Sequence, residues 1–79
     1  MYNKQLDTFL KVSETGSFSA AAEALFVSPS AVIQQINSLE KDLKIPLFIR
    51  SKRGVVPTEA GEYLIGQARD FIYRSGQIR

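Results

Sequence analysis

Two amides three residues apart, Gln34 and Asn37, share a stretch with Ser30, Ile33 and Lys41. An amide offers a donor and an acceptor in one plane, the pair that reads the N6 and N7 edge of adenine with two bonds. Ser30 can donate to a base or a phosphate. Ile33, aliphatic amid polar neighbours, suits a thymine methyl, or else packs beneath a neighbouring hairpin. Further on, Lys44, Arg50, Lys52 and Arg53 all fall between Asp42 and Glu59, a span with no acid inside it. Cations grouped this way create a local positive potential even though the net charge is only +2. This is chemistry of recognition, not of bond-making. The 79 residues include neither cysteine nor histidine, which removes thiolate nucleophiles and the commonest metal ligands, and the acids are scattered. An enzyme is therefore not expected.

Positioning these groups requires rigid elements. Leu6, Phe9, Leu10 and Ser13 recur at helical spacing, predicting a first helix from Tyr2 to Glu14 that stops at Gly16. A short second helix starts near Ser19, whose hydroxyl can cap it, and runs through Ala20, Ala21, Ala22 and Ala24 to Leu25. Its small side chains allow close helix approach. After a turn at Phe26 and Val27, Ser28 caps a third helix with Pro29 at its first position. Val32, Ile36, Leu39 and Leu43 form its buried stripe, and Pro46 closes the segment. Subtracting that stripe leaves Ser30, Ile33, Gln34, Asn37 and Lys41 outside, with Pro29 at the tip; the bland reading of the amides is a solvated face. Leu47-Phe48-Ile49 and Val55-Val56 around Ser51-Lys52-Arg53-Gly54 read as a small hairpin. Thr58 caps a fourth helix running to the end of the chain, where Leu64, Ala68, Phe71, Ser75 and Ile78 approach a heptad seam, with Ile72 beside it. Gly61, Gly66 and Gly76 lower its propensity, so packing must sustain it.

Helix, short helix, tight turn, longer helix and basic hairpin make a mainly α fold: a winged helix-turn-helix with a three-helix core, a small two-stranded wing and a long C-terminal linker helix. The major groove, about 12 Å wide, admits one helix. The expectation is sequence-specific binding of double-stranded DNA, with residues 28–43 in the major groove and 50–54 on the backbone or in the minor groove. Pro29, Ser30, Ile33, Gln34 and Asn37 are the candidate base contacts. Ser17, Ser19, Ser28, Arg50, Lys52 and Arg53 are the candidate backbone and wing contacts, although Arg50 could equally pair with Glu40 and Ser19 could serve as a cap.

Gly16-Ser17-Phe18-Ser19, Ala21-Ala22, Leu25, Val27-Ser28, Gln35-Ile36, Leu39-Glu40, Leu43, Leu47-Phe48, Arg50 and Pro57-Thr58-Glu59-Ala60-Gly61 closely resemble the N-terminal DNA-binding domain of LysR-type bacterial transcriptional regulators. The match is gap-free from Leu6 to Leu64. The resemblance implies base contacts from Pro29, Ser30, Ile33 and Gln34, a DNA contact from Arg53, and a linker helix that pairs with its mate. It also implies a C-terminal effector domain, absent from these residues, that alone would take a small-molecule effector; no cofactor is expected in 1–79. Where many members carry Gln-Pro and Ser-Arg, this chain has Pro29-Ser30 and Ile33-Gln34, which favours A·T-rich sequence.

The expected division is a DNA-binding domain at 1–58 and a truncated linker and dimerisation helix at 59–79. The dimer surface comprises Leu64, Ala68, Phe71, Ile72, Ser75 and Ile78, giving a homodimer, with a tetramer as the full-length alternative. Without a membrane-spanning run or signal peptide, the expected location is the bacterial cytoplasm, at the nucleoid. The rival reading is a helical protein-interaction module that uses the 64–78 apolar seam, the basic hairpin being incidental.

Overall fold

A computed structural model describes residues 4–76. Helices α1 (Lys4–Thr15), α2 (Phe18–Leu25) and α3 (Pro29–Leu43) are followed by strands β1 (Phe48–Ser51) and β2 (Gly54–Pro57) and by helix α4 (Glu59–Gly76). α1 buries Thr8, Phe9, Leu10 and Val12 and ends where Gly16, at φ 70°, donates its N–H to Val12 O. The cap of α2 is Ser17, not Ser19: its Oγ accepts from Ala20 N at 3.1 Å, so α2 begins one residue earlier than expected. Ser19 is an exposed residue of the first turn. Ala21 and Ala22 are fully buried, and their small size lets α1 and α3 close on α2.

α2 stops at Phe26 in the left-handed conformation, where its N–H reaches Ala22 O and Glu23 O. Ser28 Oγ then accepts from Ala31 N, and Pro29 opens α3 as expected. The end of α3 is set by Lys44, also left-handed, and not by Pro46. Val32, Ile36 and Leu39 are buried, but Leu43 is 48% exposed and drops out of the expected stripe. Thr8, a buried polar group, donates to Lys4 O and is hydrogen-bonded to the side-chain amide of Gln35, tying α1 to α3.

The strands pair antiparallel from Phe48↔Pro57 to Ser51↔Gly54, leaving Lys52-Arg53 as the turn. Val55 N donates to Gly16 O, which joins the hairpin to the α1–α2 corner. Only glycine suits position 54: φ is 134°, and a Cβ there would lie 2.8 Å from Gly16 O. Thr58 fastens α4 three ways. Its N–H bonds Leu47 O, its hydroxyl donates to Pro46 O, and Oγ1 accepts from Gly61 N. The core joins Phe9, Val12, Val32, Ile36, Leu47 and Phe48 with Ala68 of α4, and the Phe9 and Phe48 ring centroids lie 5.3 Å apart.

Candidate nucleic-acid interface

The period of α3 divides its side chains in two. With Val32, Ile36 and Leu39 turned inward, Ser30, Ile33, Gln34, Asn37, Ser38 and Lys41 line one shallow concavity on the outer surface. Pro29, Ser30, Gln34, Asn37 and Lys41 are exposed, and Ile33 is half-buried within that concavity, among the polar residues expected around it. Ser38, not anticipated, completes the surface; it lies four residues beyond Gln34 on the same helical row. Ser17 and Ser28 both spend their hydroxyls on caps, at the N-termini of α2 and α3, where the leading N–H groups also favour an anion.

At the other end of the surface, a polar knot fixes where the hairpin leaves α3. Glu40 Oε2 accepts from Leu47 N at 2.7 Å and from Phe48 N at 3.2 Å. Its Oε1 accepts from Arg50 Nη2 at 3.0 Å. The same Nη2 donates to Asn37 Oδ1 at 2.7 Å, and the guanidinium lies 5.1 Å from the Phe18 ring centroid. Arg50 thus makes the ion pair that was one of its two expected roles. Glu40 does more than pair: it holds the first strand by its backbone, a role sequence reasoning missed because no periodic signal marks a carboxylate that caps a strand seven residues away. Replacing Glu40 by glutamine turns an amide NH2 toward one donor or another. The expected loss is about 1–3 kcal/mol of stability in urea unfolding, moderated by the partial exposure of Arg50. A change below about 0.5 kcal/mol would discount the knot, since surface substitutions routinely fall in that range.

Lys52 and Arg53 occupy the turn of the hairpin, exposed and without an ion-pair partner among the described residues. Ser51 holds that turn by accepting from Arg53 N and donating to Gly54 O. Lys41 on the α3 surface and Lys52 and Arg53 in the turn thus have no ion-pair partner among the described residues, whereas the charge of Arg50 is offset by Glu40.

The expected α4 seam is only partly a surface. Ala68 is 3% exposed within the single chain, and Leu64 packs partly against the same core, because Gly61 brings the first turns of α4 onto the body. Ala68 is thus covered by the body of its own chain. The side chains of Phe71, Ile72 and Ser75, and the whole of Ile78, lie outside the described residues. No helix among the described residues is long and apolar enough to cross a membrane.

A three-helix body, a tight turn into a helix with an exposed polar face, and a basic two-stranded hairpin define a winged helix-turn-helix protein. Comparison with known proteins carries this further. The family model for bacterial regulatory helix-turn-helix proteins of the lysR family matches residues 3–62, and the chain belongs to that family. It is 43% identical over 76 residues to the HTH-type transcriptional activator IlvY of Salmonella typhimurium, covering 96% of this chain and 26% of that protein. To the nitrogen assimilation regulatory protein Nac of Klebsiella aerogenes it is 40% identical, with 96% and 25% covered. The chain thus spans about a quarter of the length of these relatives. Among solved structures, the CbnR domain in complex with DNA superposes with a TM-score of 0.90 at 38% identity, covering 98% of this chain and 88% of that one. The BenM domain on its benA site 1 DNA gives 0.91 at 31%, with 99% and 88% covered.

Proposed function

We propose that this chain is the DNA-binding domain of a LysR-type transcriptional regulator, with α3 in the major groove and hairpin 50–54 on the backbone or in the minor groove. The observation that carries the reading is the outer surface of α3: Ser30, Ile33, Gln34 and Asn37 line one exposed face, next to a hairpin whose turn is Lys52-Arg53. The likeness to CbnR and BenM domains bound to DNA supports it. Pro29, Ser30, Ile33 and Gln34 meet base edges, while Ser17, Ser19 and Ser28 lie where helix N-termini favour phosphate.

Residues 1–58 form the DNA-binding unit and 59–79 the linker helix, through which two copies pair as a homodimer. The pairing surface assigned to the linker segment is Leu64, Phe71, Ile72, Ser75 and Ile78; Tyr63 and Tyr73 of α4 are exposed. Two copies place their α3 helices in successive major grooves about 34 Å apart, hence a partly palindromic site. The complete regulator, dimeric or tetrameric, carries a small-molecule effector domain and works at the nucleoid in the bacterial cytoplasm.

Titration of labelled duplexes by fluorescence anisotropy tests the reading. Gln34→Ala is expected to relax discrimination at one base pair by about 1–3 kcal/mol while leaving binding to other sequences intact. Duplex RNA should not compete, because its deep, narrow major groove excludes α3. Equal competition by duplex RNA, or no saturable binding to any duplex DNA, overturns the proposal.

A further inference from the structure

Ile33 is an aliphatic side chain set outside the core. It is half-buried, yet it belongs neither to the buried cluster nor to the partly buried hydrophobics packed against that cluster. Among the described residues, the concavity around it is lined by α3 alone, through Ser30, Gln34, Asn37, Ser38 and Lys41. No hairpin residue lines it, so the packing role that the sequence left open has no support in the fold. Its neighbours along the helical rows are polar: Ser30 three residues before it and Asn37 four after. Asn37 is itself fixed, its Oδ1 accepting from Arg50 Nη2 at 2.7 Å. Branching at Cβ leaves Ile33 essentially one χ1 rotamer in a helix, so little freedom is lost when a ligand covers it. The result is a preset apolar spot ringed by hydrogen-bonding groups.

The major-groove edges of the four base pairs present hydrogen-bond donors and acceptors and one apolar group, the C5-methyl of thymine. We infer that Ile33 makes this domain a reader of the pyrimidine C5-methyl group, favouring thymine over uracil and 5-methylcytosine over cytosine at the base pair it faces. The groups around it do not separate the two methylated bases. The Ser30 hydroxyl and the Gln34 amide each donate and accept, and so serve the O4 of thymine or the N4 amino group of cytosine. Methylation of a cytosine at that position therefore raises occupancy, and binding depends on the modification state of the DNA as well as on its sequence. The inference rests on the placement of α3 in the major groove proposed above.

Anisotropy titration of a duplex selected from a random pool tests it. Each thymine of one half-site is replaced in turn by deoxyuridine, which removes the methyl and nothing else. One replacement should weaken binding about fourfold, the value of a single methyl taken out of water. At that position the pair is then exchanged for C·G, where 5-methylcytosine should bind about fourfold more tightly than cytosine. Both differences should vanish in Ile33→Ala, whose folding is checked by circular-dichroism melting. Alanine is the better helix former and Ile33 is no part of the core, so the fold is expected to persist. Ile33→Ser, which also removes the apolar branch, gives the same reading should the alanine variant melt too low to assay. Three results would each overturn the inference: no thymine sensitive to loss of its methyl, a sensitivity that survives both variants, or a gain for thymine over uracil with none for 5-methylcytosine over cytosine. Duplex binding that ignores the methyl groups leaves the DNA-binding reading standing, whereas failure to bind any duplex removes both.

Discussion

Gly61→Ala is expected to destabilise the protein by about 3 kcal/mol, while the same change at Gly66, five residues along the same helix, stabilises it slightly. A Cβ on Gly61 would lie 2.2 Å from Leu47 O and 3.2 Å from the Leu47 carbonyl carbon. The obstacle is backbone, with no rotamer to swing away. α4 must therefore retreat, and its retreat stretches the bond from Thr58 N to Leu47 O and that from the Thr58 hydroxyl to Pro46 O. It also uncovers Leu47 and Ala68, both buried against the other helices. A domain of this length has total stability on the order of 4–12 kcal/mol, so the loss is a large fraction of the whole. The midpoint of thermal unfolding should fall by roughly 12–24 °C, at about 4–8 °C per kcal/mol for a domain of this size. At Gly66 nothing lies within 4 Å of the added methyl and the residue is exposed, so alanine there gains only helix propensity, up to about 1 kcal/mol. Equal effects at the two positions would mean that α4 does not press on Leu47.

The difference between these glycines shows where sequence reasoning stops. All three glycines of α4 cost helix propensity alike, and nothing local separates one that admits a carbonyl from one that faces water. The same limit explains Ser17 and Ser19. Either serine can cap, and the choice fell to Ser17 because Gly16, left-handed, and the bond from Val55 N to Gly16 O fix where the corner ends. Ser28 with Pro29 was legible because cap and first-turn proline act through neighbours in the chain. The outer face of α3 followed from period alone, once the inward stripe was known. Leu43 broke that stripe because Lys44 turns left-handed right after it, leaving Leu43 on the rim beside Ile45 and Tyr63. The partner of Arg50 was one of two open readings; its grip on Asn37 joins residues 13 apart in the chain, and only the folded hairpin brings them together. Ala68 read as seam because heptad spacing records that a face is apolar, not which surface covers it.

Replacing Lys52 and Arg53 together by alanine is expected to weaken binding to every duplex by about a hundredfold or more at low salt, without altering sequence preference. The reason lies in which cations are free. Arg50 donates to Glu40 and Asn37, so its charge is largely offset, whereas Lys52 and Arg53 extend from a two-residue turn with no ion-pair partner among the described residues. A phosphate contact releases condensed counterions, and each contributes about −0.9 to the slope of log K against log salt concentration. With four phosphate contacts per protomer, a dimer shows a slope near −7, and removing two from each protomer brings it to about −3.6. Stability should hardly move, since both side chains are exposed and Ser51, not either cation, secures the turn through backbone bonds. Anisotropy titrations over a series of salt concentrations check both parts. An unchanged slope in the double variant would move the phosphate contacts elsewhere and leave the hairpin without a role in binding. A slope that falls together with a change in base preference would instead place these side chains against base edges in the minor groove, since contacts to phosphate alone carry no sequence information.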